Sequence, residues 1–158
     1  MEKFILSDTH SEFFENAIVC SGGYCTFKGK LLLLKRHSQK LFGNLWGVPG
    51  GKLEPGETPE DGLIREVYEE AGFMVDRTLI EPIHTLYIHS TGILSHRVIY
   101  HMFYCPLLEL PELNVHLDEH SEAQWVTPAE GLELELVTAG GIEAIQIYRD
   151  FLIRRNAS

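Results

Sequence analysis

The chain has 158 residues, the size of one ordinary domain, and 44% of them are apolar, enough to build a core. Its formal charge of −10 argues against broad binding to nucleic-acid polymers or anionic membrane surfaces, which relies on clustered Lys and Arg. An anionic small molecule stays open, because a bound metal ion reverses the local sign of an acidic site. No apolar run approaches the roughly 18 residues of a membrane span. Residues 1–10 lack the basic-then-apolar layout of a secretory signal. A soluble, cytoplasmic, single-domain protein is therefore expected.

Residues 4–16 carry Phe4, Ile5, Leu6, Phe13 and Phe14 without a clear period, and predict a short helix or a packed arm. Residues 17–27 and 31–36 read as strands around the turn signal Lys28-Gly29-Lys30. Four leucines at 31–34 predict a strand covered on both faces. Residues 37–57 are loop-like and rich in Gly and Pro, and loops of this length are usually functional. A helix follows over 59–71, with Thr58 as N-cap, Pro59 at the first position, Asp61 in a variant capping box and Gly72 as the stop. Segments 83–89 and 97–105 predict two strands around Ser90-Thr91-Gly92, and 122–126 a third. Thr127 to Glu130 opens a short helix with a second capping box. A final helix runs over 142–155 with Ile142, Ile145, Tyr148, Phe151 and Leu152 as its apolar stripe. Interleaved strands and helices point to one mixed sheet flanked by helices. The cysteines (20, 25 and 105) are odd in number, form no C-x-x-C pair and read as buried thiols. The sequon Asn156-Ala157-Ser158 reads as chance.

The helix at 59–71 is the most informative stretch. At about 100° per residue, Leu63, Ile64, Val67 and Ala71 share the buried face. Glu66, Glu69 and Glu70 gather on an arc beside it. Glu66 and Glu70 are like charges one turn apart, a cost of a few tenths of a kcal/mol. Glu69 and Glu70 also occupy the last turn, where the helix dipole disfavours anions. A solvated acidic face is the plain reading of three glutamates. A bound cation is the functional one, since it removes both penalties, and oxygen ligands suit Mg²⁺ or Mn²⁺.

The surrounding pattern decides between them. Gly51, Glu57, Arg65, Glu66, Val67, Glu69, Glu70, Gly72 and Phe73 fill every fixed position of the box that marks the Nudix family, and segment 51–73 resembles it without a substitution. The resemblance extends upstream through Trp46-Gly47-Val48-Pro49-Gly50 and, more loosely, over residues 17–126. It implies an α/β fold, the α/β/α sandwich with a mixed sheet. It also implies hydrolysis of a nucleoside diphosphate linked to another moiety, assisted by divalent ions. Glu66, Glu70 and Glu69 would be metal ligands, joined by the carbonyl of Gly50. Glu57 would serve the metal's water or position Arg65, and Arg65 would orient the glutamates. In MutT-like members a glutamate six residues before a tryptophan can join the site. Glu119 stands six before Trp125, with Glu122 and the box residues Glu66 and Glu69 as alternative bases. Arg36, and with it Lys35 and Lys52, would contact substrate phosphate. Trp46 and Phe42 either stack on a base or pack under the loop. The eight histidines show no H-E-x-x-H or other zinc spacing.

Substrate choice is less legible. Dinucleotide-polyphosphate and ADP-ribose subfamilies carry a Tyr or a Pro at a set distance after the box. The window at 88–91 holds neither, although Tyr87 lies just before it. The NADH-type motif is also absent. The MutT-like default follows: a nucleoside triphosphate cleaved to monophosphate and pyrophosphate, with sugar nucleotides or ADP-ribose as the alternative. A non-catalytic sensing module usually loses box glutamates, and all are intact here. Dimers are common in the family.

Overall fold

Leu31 to Leu34 lie at the centre of the molecule, and all four are fully buried because both faces of their strand are covered. The computed structural model describes residues 4–91, 96–137 and 140–157. In chain order the strands are β1 (Phe4–Ser7), β2 (Ile18–Phe27), β3 (Lys30–Arg36), β4 (Trp46–Gly47), β5 (Gly50–Lys52), β6 (Glu81–Ser90), β7 (Arg97–Pro106) and β8 (His120–Val126). The helices are α1 (Pro59–Ala71), α2 (Pro128–Leu132) and α3 (Gly141–Ala157). None is long and apolar enough to cross a membrane among the described residues.

All eight strands join one sheet in the order β1-β6-β7-β2-β3-β4, with β5 on β2 and β8 on β3. It is mixed: β2 runs parallel to β7, and the other named pairs are antiparallel. The strand β2 forks. Its C-terminal end pairs with β3, and its N-terminal end, at Cys20 to Gly22, pairs with β5. Alternate residues then sort into two cores. Leu31, Leu33, Tyr24, Met102 and Tyr104 pack with Ala144, Ile145 and Tyr148 of α3. Leu32, Leu34, Cys25, Phe103 and Cys105 pack with Leu63, Val67 and Ala71 of α1. The result is the expected α/β/α sandwich with a mixed sheet. Cys25 and Cys105 are buried free thiols, and Cys20 is half-buried.

The helix α1 matches its prediction end to end. The Thr58 side chain accepts from the Asp61 N–H, and Gly72 closes the helix at a φ of 84°. The Asp61 carboxylate does not complete a capping box in this packing but pairs with Arg77. The second capping box, Thr127 with Glu130, is complete. Three expectations are corrected. Residues 4–7 form a strand on β6, followed by a 3₁₀ turn at Glu12–Phe14, not a helix or arm. The glycine-rich loop contains β4 and β5. Ile142 is exposed, and Ala144 takes its place in the stripe. Gly92 of the expected turn and Ser158 of the sequon lie outside the described residues.

Candidate active site

The site is built where the last turns of α1 meet β5. Glu66 and Glu70, one helical turn apart, turn toward the strand with side chains 14% and 12% exposed. Close approach is allowed because the strand carries no side chain there: a Cβ on Gly51 would stand 2.7 Å from a Glu66 carboxylate oxygen. The Gly50 N–H donates to Glu70. Burial, and then hydrogen bonding to and the charge of Glu66, push the Glu70 carboxyl up to about 9. At neutral pH Glu70 therefore carries a proton when no cation is bound.

Arg65 braces the cluster from behind. Its Nε and Nη2 fork onto Glu57 at 2.8 and 2.9 Å. Its Nη1 donates to Glu66 at 3.0 Å and to Glu69 at 3.1 Å, and Nη2 also reaches the Lys52 carbonyl at 3.2 Å. Glu57 accepts the Glu54 N–H as well. Arg65, and next this N–H, hold the Glu57 carboxyl down at about 2. Glu57 thus faces Arg65 and does not line the cleft.

The opposite wall comes from β3 and β8. Their register slips between Lys35 and Arg36: Lys35 lies across from Glu122, but Arg36 lies across from His120, with Ser121 as the extra residue. Such bulges re-aim side chains. Here the slip brings Glu119 and Arg36 to the acidic helix. Arg36, Gly50, Gly51, Glu66, Glu69, Glu70, His116 and Glu119 line one cleft of about 500 Å³. Glu119 stands 3.8 Å from Lys40, whereas Glu122 pairs with Lys35 at 3.5 Å away from the cleft. Arg36 is anchored by its Nε on the Leu41 carbonyl at 2.8 Å. Of the predicted phosphate contacts, Lys35 and Lys52 fall outside the cleft: Lys35 pairs with Glu122, and the Lys52 side chain is exposed.

Two histidines escaped the sequence reading. His116 lines the cleft. His120 is buried, with Nε2 3.7 Å from Glu70 Oε2. Their flanking of Glu119 was the available signal, but the bulge that aims them is not local.

The donor set of the cleft is hard oxygen around a crowded carboxylate pair, against a strand bare of side chains. These residues fit a divalent cation in place of the proton on Glu70. Among the described residues no three acidic, His or Cys side chains are already grouped as ligands, and Glu69 is drawn to Arg65.

A second cavity of about 250 Å³ shares Gly50 and Gly51 with the cleft as lining residues. It is mostly apolar and lies on the α3 side of the sheet, lined by Tyr24, Trp46, Ile88, Tyr100 and Ile145 among others. Trp46, predicted either to stack or to pack, is 6% exposed and belongs to the core while forming part of this wall. The two phenols, Tyr24 and Tyr100, meet at 3.1 Å.

Comparison with known proteins agrees with this geometry. The model of the NUDIX domain matches residues 22–150. A CTP pyrophosphohydrolase of Escherichia coli is 31% identical over 113 residues, which are 70% of this chain and 76% of that protein. An ADP-ribose pyrophosphatase of Bacillus subtilis is 33% identical over 112 residues, 69% of this chain and 57% of that protein. The solution structure of the E. coli ORF135 protein superposes with a TM-score of 0.74 at 25% identity, covering 94% of this chain and all of that one. Box, fold and relatives agree that this chain belongs to the NUDIX domain family and is a Nudix hydrolase.

Proposed function

We propose that the chain is one catalytic unit that hydrolyses nucleoside triphosphates to monophosphate and pyrophosphate with Mg²⁺ or Mn²⁺. The observation that carries this reading is that an acidic cleft and an apolar, aromatic cavity share Gly50 and Gly51 in their walls. A nucleobase fits the cavity and the phosphate chain fits the cleft. Glu66 and Glu70 would hold the cation, with Glu69 and the Gly50 carbonyl completing the set. A cation held there would supply charge neutralisation of the phosphates and activation of water. Arg65 and Glu57 fix the orientation of Glu66. Arg36, anchored on Leu41, offers its guanidinium to a phosphate. Glu119 faces the same cleft and takes the proton of the attacking water. The CTP pyrophosphohydrolase relative supports a triphosphate. Cytoplasmic nucleotide pools would supply it.

One observation favours a bulkier second half. The cleft continues past Glu69 and His116 into a groove of about 480 Å³ with Tyr68, Asn114 and Leu117 on its walls. That is room for a sugar phosphate, and the ADP-ribose pyrophosphatase relative supports it.

A substrate panel with product identification separates the two. Canonical and 8-oxo nucleoside triphosphates should yield monophosphate and pyrophosphate, and excess EDTA should abolish turnover. Faster cleavage of ADP-ribose or sugar nucleotides would move the assignment to the second reading, and turnover that persists in EDTA would reject the cation. Within the site, Glu119→Gln is expected to lower kcat by about 10²-fold, the usual weight of a general base. Glu122→Gln, which loses only its pairing with Lys35, should stay close to wild type. The reverse order would remove Glu119 from this role.

A further inference from the structure

The first residue of β8 stands behind the acidic cluster without a part in the reaction as described so far. His120 is 4% exposed, and its Nε2 lies 3.7 Å from Oε2 of Glu70, itself nearly buried. Its Nδ1 is buried with no hydrogen-bond partner in the structure. An imidazole enclosed this way keeps one proton, and the nitrogen facing a carboxylate is where an N–H is useful.

Two hydrogen bonds reach Glu70, from the Gly50 N–H and the Glu66 carboxyl, and the His120 ring stands 3.7 Å off, just beyond hydrogen-bond length. The first two come from β5 and from the same helix. His120 is the contact that comes from β8. It is there because of the slip at Lys35 and Arg36, which sets His120 across from Arg36 where an unbroken ladder would set Ser121. The same slip aims Glu119 into the cleft.

We propose that His120 is a positioning residue, whose Nε2–H closes onto one oxygen of Glu70 when the other faces the cleft as a cation ligand. The proposal rests on the reading of Glu70 as a metal ligand. Partners of this kind orient ligating carboxylates, and their loss typically costs about 10- to 100-fold in metal affinity.

The test is Mn²⁺ binding to the nucleotide-free full chain, by calorimetry and by the loss of the free-Mn²⁺ EPR signal, with thermal melts alongside. His120→Leu keeps bulk without a donor and should raise the Mn²⁺ Kd about tenfold or more. His120→Gln places an amide N–H near the position of Nε2 and should recover most of that loss. His120→Asn places it near Nδ1 and should not. If the leucine variant does not fold, the contrast between Gln and Asn carries the same information. At saturating metal, kcat should recover further in His120→Leu than at low metal. Wild-type Kd in a folded His120→Leu, or equal losses in the Gln and Asn variants, would overturn the role of His120 while Glu70→Gln still abolished binding. Wild-type protein that takes up no Mn²⁺, or Glu70→Gln that binds as wild type does, would overturn the metal reading and this role with it.

Discussion

Glu70→Gln is expected to lower kcat by about 10³-fold, the scale of several kcal/mol of lost charge stabilisation, while the fold survives. The amide cannot become an anionic ligand, but it can keep the hydrogen bonds that the protonated acid makes with Glu66 and the Gly50 N–H. Stability should move the other way. The folded state holds a proton on Glu70 up to about 9, whereas an ordinary carboxyl releases it near 4.5. The folded state thus binds more protons than the unfolded chain between those values. The stability from this group is fully present below 4.5 and is lost as pH rises through about 9. An amide has no proton to lose. Metal-free Glu70→Gln should therefore melt above metal-free wild type at alkaline pH, with the gap closing toward pH 4.5. Adding Mn²⁺ should raise the wild-type Tm and leave the variant unmoved, because a ligand stabilises only the state that binds it. Equal metal-induced shifts in both proteins would remove Glu70 from the cation site.

What could be read in advance divides by the range of the interactions involved. The helix α1 was legible to the residue because its signals are local: Thr58 and Pro59 at the start, Gly72 at the stop, Leu63, Val67 and Ala71 at helical spacing. Leu31 to Leu34 declared a doubly covered strand for the same reason. Phe4 to Ser7 gave no period, since their strand exists only by pairing with residues 87–90, far along the chain. The short strands β4 and β5 hide among glycines and are held by remote partners: Trp46 donates to the Glu135 carbonyl, and Val137 donates back to Trp46. The site divides likewise. The box marks Glu66, Glu70, Glu57 and Arg65, which lie within one turn-and-helix unit. Choosing Glu119 over Glu122 needs the β8 bulge, and so does finding His120. Lys52 shows the limit of proximity in sequence: it neighbours Gly51, but strand alternation turns its side chain out and leaves only its carbonyl, held by Arg65, in the structure of the site.

Arg65→Lys should be far from conservative. The guanidinium divides its donors among Glu57, Glu66, Glu69 and the Lys52 carbonyl, a fork that one ammonium cannot reproduce. Lysine would leave Glu66 free to swing by an ångström or more, and misplacement on that scale can cost about 10²-fold in rate. The loss should fall on kcat at saturating metal and substrate, since the proposed cation ligands, Glu66 and Glu70, remain. Stability carries a second signature. Arg65 holds the Glu57 carboxyl at about 2, below its ordinary 4.5. A depressed carboxyl contributes stability that is present above 4.5 and lost as pH falls through about 2. Without the fork Glu57 should titrate closer to its ordinary value, held down by the remaining Glu54 N–H. Arg65→Lys should therefore melt below wild type at neutral pH, and the two melting curves should converge in acid. Thermal melts across that range, read beside kcat, test both halves at once. A large rate loss with unchanged acid sensitivity would mean that Arg65 acts on substrate and not through Glu57. An unchanged rate would mean that the glutamates hold their places without it.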